Sequence, residues 1–162
     1  MYHWIVLLHV LGAFIFALAH GASTKVILKI HREKNPERLA ALLDVSAEYI
    51  AVLYLSLLAM LLGGIASGFV GKWWGGGWIW LGLGLFLGIS VAMFFMATSP
   101  LARLRKAISL QHFGDAQPNP AEPPTNADEI ASSLAAIKPL AIAAIGYGGL
   151  ALIIWLMVFK PF

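Results

Sequence analysis

The amino-acid sequence predicts an all-α, polytopic membrane four-helix bundle, with both termini outside and a short interfacial amphipathic helix between helices three and four. Three observations carry that expectation. The 162 residues are 60% hydrophobic and 12% charged, whereas roughly a quarter of a soluble domain is charged. Four stretches reach the ~20 mostly apolar residues needed to cross a bilayer. The basic residues gather in two of the intervening loops, as they do on the cytoplasmic side of membrane proteins.

The first span runs from Tyr2 to about Thr24 and contains no Asp, Glu, Lys or Arg. It reads as a retained helix rather than a cleaved leader, because no basic residue precedes a run that is long for a signal core. The second span covers about 49–70, the third about 78–97 and the fourth about 139–159, all within one domain, 1–162. Between the second and third lies "GKWWGGG", a turn short enough to make the two helices antiparallel neighbours. Gly64 and Gly68, like Gly84 and Gly88, stand four apart and read as close-packing surfaces.

Every Lys and Arg except Lys72 and Lys160 lies in or beside "KIHREKNPER", the segment after helix three, or the entrance of helix four. That side is assigned to the cytoplasm of a bacterial inner membrane. Tyr2, Trp4, Trp73, Trp74, Trp78, Trp80 and Trp155 lie toward the opposite ends of the spans, where amphipathic rings meet headgroups. The net charge of +3 is thus spread as membrane flanks, and a nucleic-acid partner is not expected.

The inner loop, about 99–128, begins "SPLARLRKAISLQH". Leu101, Leu104 and Ile108 recur at helical spacing with Arg103, Arg105 and Lys106 between them, so a short helix on the membrane surface is expected, opened by Pro100. Residues 114–126 are rich in proline and read as extended loop. Helix four is expected to begin early, near Asp128.

The chemistry rests on His9 and His20. No cysteine is present, so thiolate sites and disulfides are excluded. The two histidines are eleven positions apart, which places them about 20° apart around one helix face and about 16 Å apart along it. Gly12, Ala13, Phe16 and Thr24 share the stripe, and its small residues leave room for something flat and wide, or for a neighbouring helix.

Three readings follow. Each imidazole bonds a hydroxyl or carbonyl of the next helix, with Ser56, Ser90, Tyr54 and Tyr147 available. Or one or both ligate haem iron, as a neutral imidazole in a helical bundle does. Or they hold copper or another transition metal. Sixteen ångströms is too far for both to bind one iron. A sixth ligand would then come from Met60, Met93 or Met96, from a lysine, from water, or from a second copy of the chain.

The aromatic-rich start, "LHVLGA", the basic loop and the three further spans resemble the small CopD-like and HemJ-like membrane proteins. They also resemble a related uncharacterised family of four-helix integral membrane proteins. The resemblance implies haem b on the first-helix histidine, which corresponds to His9. The lysine that shares the site in HemJ-like proteins has no counterpart inside a later span, since Lys106 and Lys138 are interfacial. The methionine and histidine clusters of a copper importer are not visible either.

Near the inner face, Asp44 and Glu48 are one turn apart. With Lys25 and Lys138 they are a candidate ion cluster able to deliver protons, set against plain interfacial anchoring. The sequence-level reading is a b-type haem protein of the membrane, in electron transfer or haem/porphyrin redox chemistry. Any catalysis would be that of an oxidoreductase. Its His20 would be a second ligand or a contact to a propionate or quinone, and its membrane-dissolved partner a quinone or porphyrin. The alternatives are a non-catalytic subunit, homo-oligomeric or within a larger membrane complex, and a small metal or solute transporter.

Overall fold

The computed structural model describes residues 1–108 and 127–162. All their regular structure is helical: α1 (Tyr2–Ile30), α2 (Pro36–Gly71), α3 (Gly77–Met93), α4 (Ser99–Ala107), α5 (Ala127–Ala136) and α6 (Pro139–Phe159). A 3-10 turn, Trp73–Gly75, joins α2 to α3, and a π-helical turn, Phe94–Thr98, joins α3 to α4. With α3 running on into α4 and α5 leading into α6, four rods result, each long and apolar enough to cross a membrane. One end of the bundle carries both termini and the α2–α3 turn, and is called here the terminal end. The other, the loop end, carries the His31–Asn35 connection.

The helices outrun the apolar spans that announce them. Hydropathy marks what a bilayer can hold, whereas a helix continues until its backbone is capped. Asn35 caps α2: its side-chain oxygen accepts from the backbone N–H of Glu37 at 2.9 Å and of Arg38 at 3.2 Å. Pro36 follows at the first position, where its missing N–H costs nothing. The 36 residues of α2 rise about 54 Å, far beyond the ~30 Å hydrocarbon layer.

Pro100 stands in the first turn of α4, as expected, but no loop sets that helix apart from α3. The rod passes through the π-helical turn into α4 without a loop. A proline removes one backbone hydrogen bond and crowds the preceding turn, and a locally widened turn absorbs both effects. The amphipathic pattern of α4 is used, since Leu101 and Leu104 are buried. The proline-rich stretch 114–126 lies outside the described residues.

The densest packing is at the loop end. Ile27 and Ile30 of α1, Leu39 and Leu43 of α2, Leu101 and Leu104 of α4, Ile137 just before α6 and Ile142 of α6 form one buried cluster. Along the spans, by contrast, Phe14, Leu18, Leu55, Leu62 and Leu87 are exposed, which is compatible with helices that cross a membrane. α1 packs chiefly on α2, and α3 on α6, with α1 also touching α6.

Glycine sets the α1–α2 spacing. A Cβ at Gly12 would lie 2.9 Å from the Met60 backbone nitrogen and 3.2 Å from the Ser56 carbonyl oxygen. A Cβ at Gly63 would lie 3.0 Å from the His9 backbone. Each helix therefore fits its backbone into the other's missing side chain. Gly84 and Gly88 of α3 play no such part, with nothing within 4 Å of either.

Two outcomes follow. Gly12→Leu should overpack the crossing and cost ~1–3 kcal/mol or more, whereas Gly84→Ala and Gly88→Ala should be neutral or stabilise by up to ~1 kcal/mol through helix propensity. Thermal unfolding in detergent distinguishes the two classes. At the loop end, the Glu33 carboxylate accepts from the backbone N–H groups of Asn35 and Lys34, both at 2.9 Å. Those bonds, Asn35's first and then Lys34's, hold it below the ordinary carboxylate range against a small burial effect, with Arg38 adding to the depression. The turn is thus stabilised above the ordinary carboxylate pKa, and the contribution fades as pH falls through the lower folded value. Amide shifts of Lys34 and Asn35 in an acid titration should follow it, and Glu33→Gln should abolish the dependence.

Candidate ligand site at His9

His9 lies one turn before Gly12, so the crossing delivers its ring onto α2. Its Nδ1 is 2.6 Å from the carbonyl oxygen of Met60. A helical carbonyl already accepts from the residue four positions on, but retains a second lone pair. That lone pair is reachable because the residue four positions on is Gly64. A Cβ there would stand 3.0 Å from His9 Cε1 and 3.1 Å from Nδ1. A carbonyl only accepts, so Nδ1 carries the proton and donates it. In the neutral ring Nε2 is then unprotonated, which is the tautomer of a metal-ligating histidine whose other nitrogen is held by a backbone carbonyl.

His9 lines a cavity of about 500 Å³, between the α1–α2 pair and the α3–α6 pair. Ligand cavities run from roughly 300 to 1,000 Å³. The wall is almost wholly apolar, with Ala13, Leu83, Ile154 and Met157 among its members. Its polar members include His9, Ser67 and Trp74, and Lys160 is its one charged residue among the described residues. Ser67 Oγ and Trp74 Nε1 are buried with no hydrogen-bond partner. The Lys160 ammonium lies 4.3 Å from the ring centre of Trp73 and 5.4 Å from that of Trp78.

The expected cofactor contacts divide. Ala13 lines the His9 cavity. Gly12 does not: the space its missing side chain leaves is filled by the α2 backbone, so its smallness serves the neighbouring helix and not a ligand. Phe16 faces the second histidine, with ring centres 5.6 Å apart and planes 10° apart.

His20 belongs to a different space. It is buried and lines an adjoining cavity of about 110 Å³, below the ~300 Å³ of ordinary ligand pockets. The two cavities share Met60, Phe86, Leu150 and Ile153 in their walls. Besides Phe16, the His20 ring meets Tyr147 edge-on at 5.0 Å. Its Nε2 has no hydrogen-bond partner and abuts Gly146, with which any Cβ would collide. Three of the four hydroxyls offered to the histidines are engaged elsewhere. Ser56 donates to the Leu53 carbonyl, Ser90 to that of Phe86, and Tyr54 meets Thr98 at 3.4 Å. Of the thioethers, Met60 lies on both cavity walls, Met93 beside His20, and Met96 against the loop-end cluster.

The candidate ion cluster does not come together. Asp44 pairs with Arg105 at 3.0 Å. Glu48, Lys25 and Lys138 are exposed and make no ion pair among the described residues. α4 is the reason: its seating on α2 brings a largely buried arginine to Asp44 before any lysine can reach it. Among the described residues, no three His, Asp or Glu side chains gather into a metal site.

Sequence reasoning passed over Lys160, Trp74, Ser67 and Met157 as wall residues. Only Lys160 carried a usable signal, as a lone cation at an otherwise uncharged helix end. Comparison with known proteins finds no matching family model, no matching curated protein and no matching solved structure.

The tight seat of His20 has a measurable consequence. Gly146→Ala should cost ~1–3 kcal/mol by driving a Cβ into the imidazole. His20→Ala in the same chain should recover most of that loss. A double-mutant cycle on unfolding in detergent should therefore return a coupling of ~1 kcal/mol or more, and additivity would contradict the packing described.

Proposed function

We propose that this chain is a multi-pass membrane protein that holds one haem b against His9, for electron transfer or porphyrin redox chemistry. The observation that carries the reading is the pinned imidazole: Nδ1 stands 2.6 Å from the Met60 carbonyl oxygen, on a ring lining an apolar cavity of about 500 Å³. These residues fit the group. His9 would hold the iron, Ala13 and Leu83 would line the space for the macrocycle, and the apolar wall would exclude water. When bound, haem would supply a one-electron couple. The chain's own part is to fix the ligand nitrogen, its tautomer and a dry surrounding. The resemblance of "LHVLGA" to CopD-like and HemJ-like proteins points the same way.

In this reading the basic loop end lies in the cytoplasm of a bacterial inner membrane and both termini lie outside. α4 rests at the inner interface. The redox partner is a quinone or porphyrin dissolved in the bilayer. A second reading, a non-catalytic subunit, has one observation in its favour: Gly84 and Gly88 present a side-chain-free surface that packs on nothing among the described residues.

The test is a visible spectrum of the protein purified after haem-sufficient expression. A Soret band that shifts on reduction should be present in the parent and in His20→Ala. It should be lost in His9→Ala, and in Gly64→Leu, which covers the Met60 carbonyl. A colourless parent that travels with fixed partners would replace this reading with the second.

A further inference from the structure

We propose that Lys160 is the anion-recognising residue of the His9 cavity, and that the cavity takes a flat apolar molecule with carboxylate at one edge, oriented with that edge toward Lys160. The inference rests on the haem reading and deepens it, because haem b carries its two propionates on one edge.

The cavity is polarised by the kinds of polar group at its two levels. His9 offers a lone pair at Nε2. Toward the terminal end every polar group is a donor or can act as one: the Lys160 ammonium, the Trp74 indole N–H and the Ser67 hydroxyl. Among the described residues no Asp or Glu belongs to the wall, so a ligand entering with its anionic edge first at His9 would leave the Lys160 charge unmatched.

Lys160 is held in place without being neutralised. The faces of Trp73 and Trp78 attract its ammonium but carry no formal charge. Among the described residues it makes no ion pair. Its backbone is also in the left-handed region, φ 45°, as the C-cap of α6, a place glycine usually fills. A glycine would cap the helix with less strain but would present no cation to the cavity.

The test compares ferric haem b with its dimethyl ester, each titrated into the full-length protein in detergent and followed at the Soret band. The parent should bind the free acid roughly tenfold more tightly than the ester, the worth of one charge-assisted hydrogen bond. Lys160→Gln should lose that preference by weakening the acid alone, and Lys160→Arg should keep it. Unchanged ester binding by Lys160→Gln certifies that the variant is folded. Should that variant bind neither porphyrin, Lys160→Arg against the parent, over rising salt, carries the comparison, and a preference that ignores salt overturns the proposal. Equal binding of acid and ester by the parent, or equal weakening of both by Lys160→Gln, also overturns it while leaving haem at His9 intact. No Soret band with either porphyrin overturns the haem reading, and this inference with it.

Discussion

The close approach of α1 to α2 is the constraint from which the rest follows. Between helices in lipid, burial of apolar surface gains little, because the tails outside are as apolar as the side chains inside. What remains is dispersion at short range and any hydrogen bond that proximity permits. Gly12 and Gly63 bring the two backbones together. Only at that separation can His9, carried on α1, reach a main-chain carbonyl of α2, and only a glycine at position 64 leaves that carbonyl uncovered. Three glycines and one imidazole thus form a single device, in which the packing contact also determines which ring nitrogen bears the proton.

The bundle is closed at one end and open at the other, for the same reason turned around. At the loop end the helices extend past the length a bilayer can cover, and water restores the hydrophobic driving force. Ile30, Leu43 and Leu104 are completely buried there. Across the spans no such force draws the α1–α2 pair against the α3–α6 pair, and the space between them becomes the His9 cavity. Tryptophans of its wall pack on other rings: Trp74 on Phe69 and Trp80, and Trp73 on Trp78 and Tyr2. These are the rings that hydropathy alone places at a membrane interface. Here they also line a wall and carry a cation.

The four rods were legible because hydropathy over about twenty residues is a one-dimensional property of the chain. Helix ends were less so: Asn35 and Pro36 form a capping signal, yet the basic residues around them read as loop. The site was half legible. A stripe of small residues around His9 says that something approaches closely, but not whether that something is a ligand or a helix. Gly12 went to the helix and Ala13 to the cavity, although they are adjacent in sequence. Lys160 was legible only as a lone cation at a helix end; that it shares a cavity wall with His9 depends on how α6 sits against α1, and nothing periodic in either helix states that pairing. Asp44 shows the same limit: its partner is Arg105, some sixty residues away, brought in by a rod that continues through a π-helical turn past Pro100.

The two histidines of α1 show how a facing helix, not a residue type, decides chemistry. Both are imidazoles on one stripe, and both face a glycine on a neighbouring helix. Opposite His9, Gly64 uncovers an acceptor, so the ring gains a hydrogen bond worth ~0.5–1.5 kcal/mol and its second nitrogen is left as a lone pair. Opposite His20, Gly146 admits the ring edge itself and offers no acceptor, so Nε2 is stranded at a cost of ~1–3 kcal/mol. Contacts with Phe16 and Tyr147, each worth ~0.5–1.5 kcal/mol, are of the size needed to offset it. His20 is therefore held as a flat aromatic wedge between α1 and α6. The same arithmetic makes it a poor place for a ligand, because anything entering that small cavity must first displace the ring contacts that make the buried nitrogen tolerable.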